Sequence, residues 1–313
     1  AVFEKLPVHD VVSWTSIICT FAVGGQSQVA FRFFVQMELE GVFPNGITFI
    51  SLLSGCNSLD WGKVLHTRIL CGHLHIDDVL GTTLFSMYFS CNSHKDAKRV
   101  FDELPDRDIV AWNTILTAYG ERAFGEDAWN CFECMQIGGT SPDSITFTCM
   151  LKACGCIGAL DKGKQIHAEI VNESSLEEDI SIGNVLIDMY ARCGAHEKAQ
   201  EVFDKLPFHD VVSWTTLISG YVQLGSDDLA IDLFNKMVCE GIEPNLVTFT
   251  VLLNGFSHSG LLDSARLYGE IMSRSYGMIP TLEQNTCMVD VFARAGHFDE
   301  ALAIIEKMPT SDY

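Results

Sequence analysis

The hydrophobic positions of this chain fall into short runs with the spacing of amphipathic α-helices. The stretch Val211–Asn245 shows the pattern in two consecutive segments. In each segment, apolar residues three or four positions apart form one stripe: Trp214, Leu217, Ile218 and Tyr221, then Leu229, Ala230, Leu233, Phe234 and Met237. Gly225 separates the segments, and Ser226 is placed to cap the second one. Gly241 and Pro244 end it, so the stretch predicts two helices joined by a short turn.

The same pattern recurs along the chain. Three segments that begin VFEKLP, VFDELP and VFDKLP align almost letter for letter. Their tryptophans, Trp14, Trp112 and Trp214, are 98 and 102 residues apart. Each interval is too long for a single helix pair, and internal similarity divides it into three smaller units.

The alignment predicts nine units after a leading tail, which is residues 1–10. Three units of 35 residues each open a triplet, and a long-type and a short-type unit follow each of them. In chain order the units are 11–45, 46–77, 78–108, 109–143, 144–179, 180–210, 211–245, 246–281 and 282–313. Unit 46–77 lacks three residues between its two helices, which predicts a shorter or tilted turn there.

The size of these units decides the fold class. A helix pair of about 35 residues cannot bury its apolar faces alone, so neighbouring units must stack into a continuous core. No stretch of comparable length shows the alternation typical of strands. We predict an all-α fold, a solenoid of stacked helix-turn-helix repeats.

Composition narrows the chemistry that this fold can carry. Hydrophobic residues make up 48% of the 313, enough for a sizeable core. The twelve cysteines show no spacing of a disulfide framework or zinc site, the nearest being Cys131 and Cys134, which favours reduced structural thiols. The uncharged run Val11–Phe31 contains Gly24-Gly25 and several polar residues, so no membrane span is predicted.

One short motif has a catalytic form. His167-Ala168-Glu169 matches the H-x-E of zinc deaminases, but these enzymes also need a later P-C-x-x-C, which does not occur in the sequence. The other histidines are isolated, and the sequence contains no nucleophile elbow or phosphate loop. We therefore predict no enzymatic activity, no cofactor and no metal site in this chain.

Three segments give the pattern a family resemblance: LIDMYARCG at Leu186–Gly194, KGKQIHAEI at Lys162–Ile170 and GLLDSARLYGEIM at Gly260–Met272. With the VVSWTTLISGY opening of unit 211–245, they resemble the plant pentatricopeptide repeat family, PLS subclass, whose pure, long and short repeats alternate in this way. The 34-residue tetratricopeptide signature is absent. The resemblance covers the whole chain, and units 246–281 and 282–313 resemble the terminal long and short repeats.

The resemblance implies a right-handed superhelix that binds single-stranded RNA, one base per repeat. It also implies a place in mitochondrial or chloroplast RNA editing or processing. Many members of the subclass end in a deaminase domain, so an editing deaminase or accessory factor is an implied partner, supplied in trans or by a C-terminal extension.

In the family, the fifth and last residues of a repeat read the base, and the second residue wedges against it. Carried over, the base-reading pairs are Thr15/Asn45, Thr82/Asp108, Asn113/Asp143, Asn184/Asp210 and Thr215/Asn245. The wedges are Val12, Val79, Val110, Ser181 and Val212, of which Ser181 departs from the apolar norm. Arg192 and Arg294 occupy the position that contacts phosphate. We expect Thr215 and Asn245 to lie outside the apolar core.

The pairs follow a donor–acceptor logic. An ionised Asp only accepts hydrogen bonds and suits the ring N–H of G or U, whereas an Asn amide can donate to the ring nitrogen of A or C. Thr at the fifth position leaves room for a purine. The resemblance therefore implies the target 5′-A-n-G-U-n-U-A-3′. Five specified bases recur by chance about once per thousand nucleotides, so we expect further repeats before Ala1.

Two alternative interpretations remain. Asn, Asp and Thr at these positions are also ordinary turn and cap residues. In addition, 41 acidic against 20 basic residues give a net charge of −21, opposite to the basic footprint of most nucleic-acid binders. A helical-repeat scaffold that binds a basic protein is therefore the alternative function.

Overall fold

The structure is a computed structural model that describes residues 9–121, 124–172 and 179–308. This part of the chain contains eighteen α-helices and no strand. Taken pairwise along the chain, they are α1 Val11–Val23 and α2 Ser27–Leu39; α3 Gly46–Ser54 and α4 Leu59–Cys71; α5 Asp78–Ser90 and α6 His94–Asp102; α7 Ile109–Glu121 and α8 Gly125–Ile137; α9 Ser144–Ile157 and α10 Leu160–Asn172; α11 Ile180–Arg192 and α12 His196–Lys205; α13 Val211–Gln223 and α14 Asp227–Cys239; α15 Leu246–Ser259 and α16 Leu262–Arg274; α17 Leu282–Arg294 and α18 Phe298–Ile305.

Local signals explain where these helices start and end. Asp210 is the N-cap of α13: its carboxylate accepts from the Ser213 N–H at 2.8 Å, and the Ser213 hydroxyl accepts from the Asp210 N–H at 2.8 Å. This reciprocal capping box satisfies two main-chain donors at the helix start. Gly225 and Gly241, with φ of +73° and +79°, follow α13 and α14 in the left-handed conformation that favours glycine.

The first helices of successive pairs pack against each other. The chain divides into two compact units within α9, between Cys149 and Met150. In the first unit α1 packs against α3, α3 against α5, and α5 against α7. In the second unit α11, α13, α15 and α17 pack in the same succession. This arrangement confirms the predicted all-α fold of stacked helix pairs.

The predicted apolar stripes form the core except at Leu229, which is 49% exposed, and at Tyr221, which is half-buried. Trp14 and Ile18 of α1 are buried, as are the corresponding Trp214 and Ile218 of α13. Burying a side chain of this size contributes about 1.5–3 kcal/mol, and each stripe reaches both its own second helix and the next first helix. None of the helices in the described part has the length and apolar character needed to cross a lipid bilayer.

The prediction of a shortened turn in unit 46–77 is wrong. The helix is shortened instead: α3 has 9 residues, whereas α9 and α15 have 14 each. The connection Gly55–Ser58 is longer than its two-residue counterparts. An extended residue advances about 3.3 Å and a helical one 1.5 Å, so a chain with fewer residues spans the same gap by leaving the helix earlier. The backbone at Gly55 passes close to α1, and only glycine fits there, because a Cβ would lie 2.8 Å from the Ala22 carbonyl oxygen.

Candidate nucleic-acid interface

The predicted pairs meet where one first helix packs beside the start of the next. In the pair Thr15/Asn45, Thr15 lies in α1 and Asn45 is the N-cap of α3. The Thr15 and Thr48 hydroxyls are 2.8 Å apart, and Asn45 Oδ1 accepts from the Thr48 N–H and hydroxyl at 3.0 and 2.9 Å. The third residue of α3 therefore joins the two predicted residues into one hydrogen-bonded group.

The pair Thr215/Asn245 is joined in the same way by Thr248 of α15. The Thr215 and Thr248 hydroxyls are 2.8 Å apart, and Asn245 Oδ1 accepts from the Thr248 N–H and hydroxyl at 3.0 and 3.2 Å. Both groups therefore use the Asn carbonyl oxygen as the helix cap.

The pair Asn113/Asp143 is in direct contact. Asn113 Nδ2 lies 3.0 and 3.2 Å from the two carboxylate oxygens of Asp143. The Thr146 hydroxyl donates at 2.6 Å to Asn113 Oδ1 and lies 2.9 Å from Asp143 Oδ1. Burial disfavours the Asp143 carboxylate, but hydrogen bonds from the Thr146 N–H and the Asn113 amide outweigh that effect and lower its pKa. Asp143 is therefore an ionised acceptor at neutral pH.

The other two pairs are held less completely. Burial opposes ionisation of Asp210, but hydrogen bonds from the Ser213 N–H and hydroxyl and from the Asn184 amide lower its pKa on balance. The pair Thr82/Asp108 is not joined in this way. The Thr82 hydroxyl donates to the Asp78 carbonyl at 2.7 Å, and Asp108 accepts from the Ala111 N–H at 2.8 Å. Ala111 has no side-chain donor that can bridge the two.

The expectation that both members of Thr215/Asn245 lie outside the apolar core is wrong for Thr215, and three other fifth residues are buried as well, whereas Thr82 is half-buried. Thr15, Asn113, Asn184 and Thr215 are only 8–9% exposed. Each of these side chains points toward the next first helix, which covers it. An exchange at such a position must therefore preserve a buried hydrogen bond as well as any contact with a ligand.

The predicted wedges lie on the surface. Val12, Val79, Val110 and Val212 are 51–66% exposed, and Ser181 is exposed as well. Sequence reasoning missed three equivalent residues in the long units: Ile47, Ile145 and Val247, each more than half exposed. The Ile/Val-Thr-Phe signature that opens each long unit was the available signal. An exposed β-branched residue beside a polar pair suits contact with the flat face of a base.

The two predicted phosphate contacts are exposed but paired. The Arg192 Nε donates to Asp188 at 2.8 Å, and the Arg294 Nε donates to Asp290 at 2.9 Å. The hydrogen bond to Asp188 and its charge raise the pKa of Arg192, which is a cation at any physiological pH. Each intrahelical pair cancels part of the charge that a phosphate would meet.

Acidic residues avoid the helices that carry the predicted site. The sequences of the first helices contain five acidic and three basic residues, whereas those of the second helices contain nineteen acidic and thirteen basic residues. The net charge is therefore −2 on the first helices and −6 on the second helices, and the larger part of the total of −21 lies outside the helices. The conflict between acidity and nucleic-acid binding is smaller at the first helices than in the chain as a whole.

Comparison with known proteins identifies the family. The model described as the PPR repeat family matches residues 9–58, 107–156 and 209–258, and the PPR repeat model matches 184–211, 247–275 and 286–313. The chain belongs to the pentatricopeptide repeat family. The first set of matches begins at intervals of 98 and 102 residues, the period of the aligned tryptophans.

Relatives of this pentatricopeptide repeat chain occur in Arabidopsis thaliana. One pentatricopeptide repeat-containing protein is 38% identical over 315 residues, which is 98% of this chain and 55% of that protein. Two others, named mitochondrial and chloroplastic, are each 32% identical and cover 98% of this chain and 48% and 50% of their own length. The chain thus spans about half the length of the curated relatives it matches.

Solved structures of the pentatricopeptide repeat protein PPR10 have the same fold. The structure of PPR10 from maize gives a TM-score of 0.54 at 19% identity and covers 96% of this chain and 48% of that one. A structure of PPR10 in complex with an 18-nt psaJ RNA element gives 0.50 at 19% identity, covering 97% and 51%. At this identity the likeness concerns the fold alone.

The deaminase-like motif is part of the helix packing in this pentatricopeptide repeat chain. His167 of α10 lies 2.8 Å from the Tyr190 hydroxyl of α11, and His66 of α4 lies 2.9 Å from the Tyr88 hydroxyl of α5. The same contact in two long units indicates a repeat-packing role for His167. All twelve cysteines lie in the described ranges and are free, and these ranges contain no cluster of three metal-ligating side chains.

The capping carboxylates predict a pH dependence of stability. Because the pKa of Asp143 is lowered in the fold, its ionised form stabilises the chain fully above its ordinary pKa of 3.8. That contribution is lost as the pH falls through the lower folded pKa. Asp143→Asn keeps a capping oxygen, as Asn45 does, but removes the titration. We expect its urea midpoint to fall less than that of the unchanged chain between pH 6 and pH 3. The exchange Asn245→Asp adds a capping carboxylate, so its urea midpoint should fall more than that of the unchanged chain over the same pH range. Parallel pH profiles for all three proteins would contradict this assignment.

Proposed function

We propose that the chain binds single-stranded RNA and that successive helix pairs read successive bases. The observation that carries the proposal is one group that recurs in 11–45, 109–143 and 211–245. In each, a buried fifth residue is joined by hydrogen bonds, directly or through the third residue of the next first helix, to the helix-capping last residue, beside an exposed valine at the second position. The first helices begin at the first residues of units 11–45 to 282–313, which supports those unit bounds. Because the first helices carry few charged residues, the main contacts with RNA would be made to the edges and faces of the bases.

The hydrogen bonds within each group assign a chemistry to it. Asn45 and Asn245 accept two hydrogen bonds from a Thr through Oδ1, so the amide nitrogen is directed away from that Thr. An amide N–H donates to the ring N1 of adenine. The ionised Asp143 and Asp210 only accept, which suits the ring N3–H of uracil. The proposed target is 5′-A-n-G-U-n-U-A-3′, where Thr82 and Asp108 supply the weakest of the five readings.

The wider role of the protein is also a proposal. We assign the repeats to the PLS subclass and propose that they are the specificity module for organellar RNA editing or processing. Relatives named mitochondrial or chloroplastic support the location, and PPR10 in complex with RNA supports the ligand class. An editing deaminase or accessory factor would supply the chemistry. The alternative, a scaffold for a basic protein, is favoured by the acidic second helices alone.

The decisive exchange is at the pair Thr215/Asn245. Replacing it by the pair found at Asn113 and Asp143, as Thr215→Asn with Asn245→Asp, should switch the preferred base at this one position from A to U. Asp accepts the uracil N3–H but opposes the adenine N1 lone pair, so we expect a change of about 1–3 kcal/mol in relative affinity. Thr248 can hold the new pair as Thr146 holds Asn113, which preserves the fold. The measurement is fluorescence anisotropy with four RNAs that differ at this position.

The other four positions serve as internal controls for this double variant, because solenoid repeats contact mainly their neighbours. A variant that folds and binds but still prefers A would show that Thr215 and Asn245 only cap and pack. The protein scaffold would then be the better proposal.

Binding should depend weakly on salt. Arg192 and Arg294 are the two basic residues placed for phosphate, and both are paired with Asp. For single strands each neutralised phosphate contributes about −0.7 to the slope of log affinity against log salt, so two or three give about −1.4 to −2.1. Arg192→Ala should make the slope less steep by about 0.7. A slope steeper than about −4 would contradict this placement of the affinity in base contacts.

A further inference from the structure

The third residue of each following first helix is part of every joined pair. The residue at this position is fully buried in four helices, where it is Thr48, Thr146, Ser213 or Thr248. In each, its main-chain N–H donates a hydrogen bond to the N-cap side chain. In α7, which follows the pair Thr82/Asp108, the third residue is Ala111, and this pair is not joined. The identity of this residue therefore varies together with the hydrogen bonding of the pair.

Two pairs with the same residues show what the third residue changes. Asn113/Asp143 is followed by Thr146, whose hydroxyl donates to Asn113 Oδ1 at 2.6 Å. Asn184/Asp210 is followed by Ser213 instead. The Ser213 hydroxyl turns to the Asp210 carbonyl and carboxylate, at 3.1 and 2.9 Å. Asn184 Oδ1 is buried without a hydrogen-bond partner in the described part of the chain.

The orientation of the Asn184 amide follows from its neighbour. A carboxylate cannot donate a hydrogen bond, so the amide nitrogen is the atom that faces Asp210. The carbonyl oxygen then remains as a buried acceptor without a donor, which is costly until a ligand supplies one. At Asn113 the same oxygen is already occupied by Thr146.

We propose that this third residue is a further determinant of base specificity, which decides whether an Asn at the fifth position offers its carbonyl oxygen to the base. The inference rests on the proposed RNA binding. In repeat 109–143 the Asn113 carbonyl oxygen already accepts a hydrogen bond from Thr146 and does not contact the base. This group therefore favours uracil, whose N3–H donates to Asp143. With Ser213, the Asn184 carbonyl accepts from the exocyclic N4 amine of cytosine. Repeat 180–210 therefore accepts both pyrimidines, whereas repeat 109–143 selects uracil.

The test exchanges the two third residues. At the base read by 180–210, the affinities of the unchanged chain for U and C should differ by less than about threefold. Ser213→Thr should raise the ratio of U affinity to C affinity to about tenfold, because one hydrogen bond contributes roughly a factor of ten. Thr146→Ser should lower the preference at the base read by 109–143 by a similar factor. Ser13→Thr is the matched control, since Ser13 also caps a first helix with Asp10 but follows none of the five pairs. Affinities are measured by anisotropy with RNAs that carry U or C at one position.

The outcomes separate this inference from the function on which it rests. A chain that shows no base preference at any of the five positions would overturn both. Base reading at the other positions, with unchanged U-to-C ratios in both Ser213→Thr and Thr146→Ser, would overturn the inference alone. Ratios that move in opposite directions in the two exchanges, and stay fixed in Ser13→Thr, support it. A loss of stability alone cannot mimic this result, because it lowers the affinity for both RNAs equally.

Discussion

The structure depends on the cap at the start of each first helix. The first turn of an α-helix has main-chain N–H groups without partners inside the helix, and a side-chain oxygen of the preceding residue satisfies them. In this chain that residue is Asn or Asp in each of the five pairs, and the next first helix begins immediately after it. The last residue of a repeat therefore caps the first helix of the next repeat and lies near the fifth residue of its own repeat. A cap role and a base-reading role are compatible in one side chain: Asn45 accepts with Oδ1 to cap α3, and its amide nitrogen is directed away from Thr48.

The capping of the first helices also bears on where acidic residues lie relative to the proposed site. The cap residues lie beside a neighbouring helix, and a half-buried carboxylate is tolerated there where hydrogen bonds compensate its loss of solvation, as at Asp143. The first helices contain only five acidic residues, of which Asp188 and Asp290 are paired with Arg192 and Arg294. Most of the net charge of −21 therefore lies outside the first helices.

Much of this architecture follows from sequence periodicity. Trp214 and Ile218 on one stripe, with Asp210 before it, are sufficient to predict α13 and its start. The shortened α3 was not predictable from spacing, because a deletion does not specify whether helix or turn absorbs it. The burial of Thr215 and the pairing of Arg192 with Asp188 also depend on neighbours in three dimensions. The role of Thr146 was missed because Thr at the third position of a helix is common for capping alone.

The central claim is that the order of the joined pairs along the chain specifies an order of bases. Equilibrium binding to labelled 5′-A-n-G-U-n-U-A-3′ RNA, compared with an RNA of the same composition in scrambled order, tests it most directly. The account predicts tighter binding of the ordered RNA by at least about tenfold, since each matched base contributes about 1–3 kcal/mol. Equal affinity for the two RNAs would contradict it.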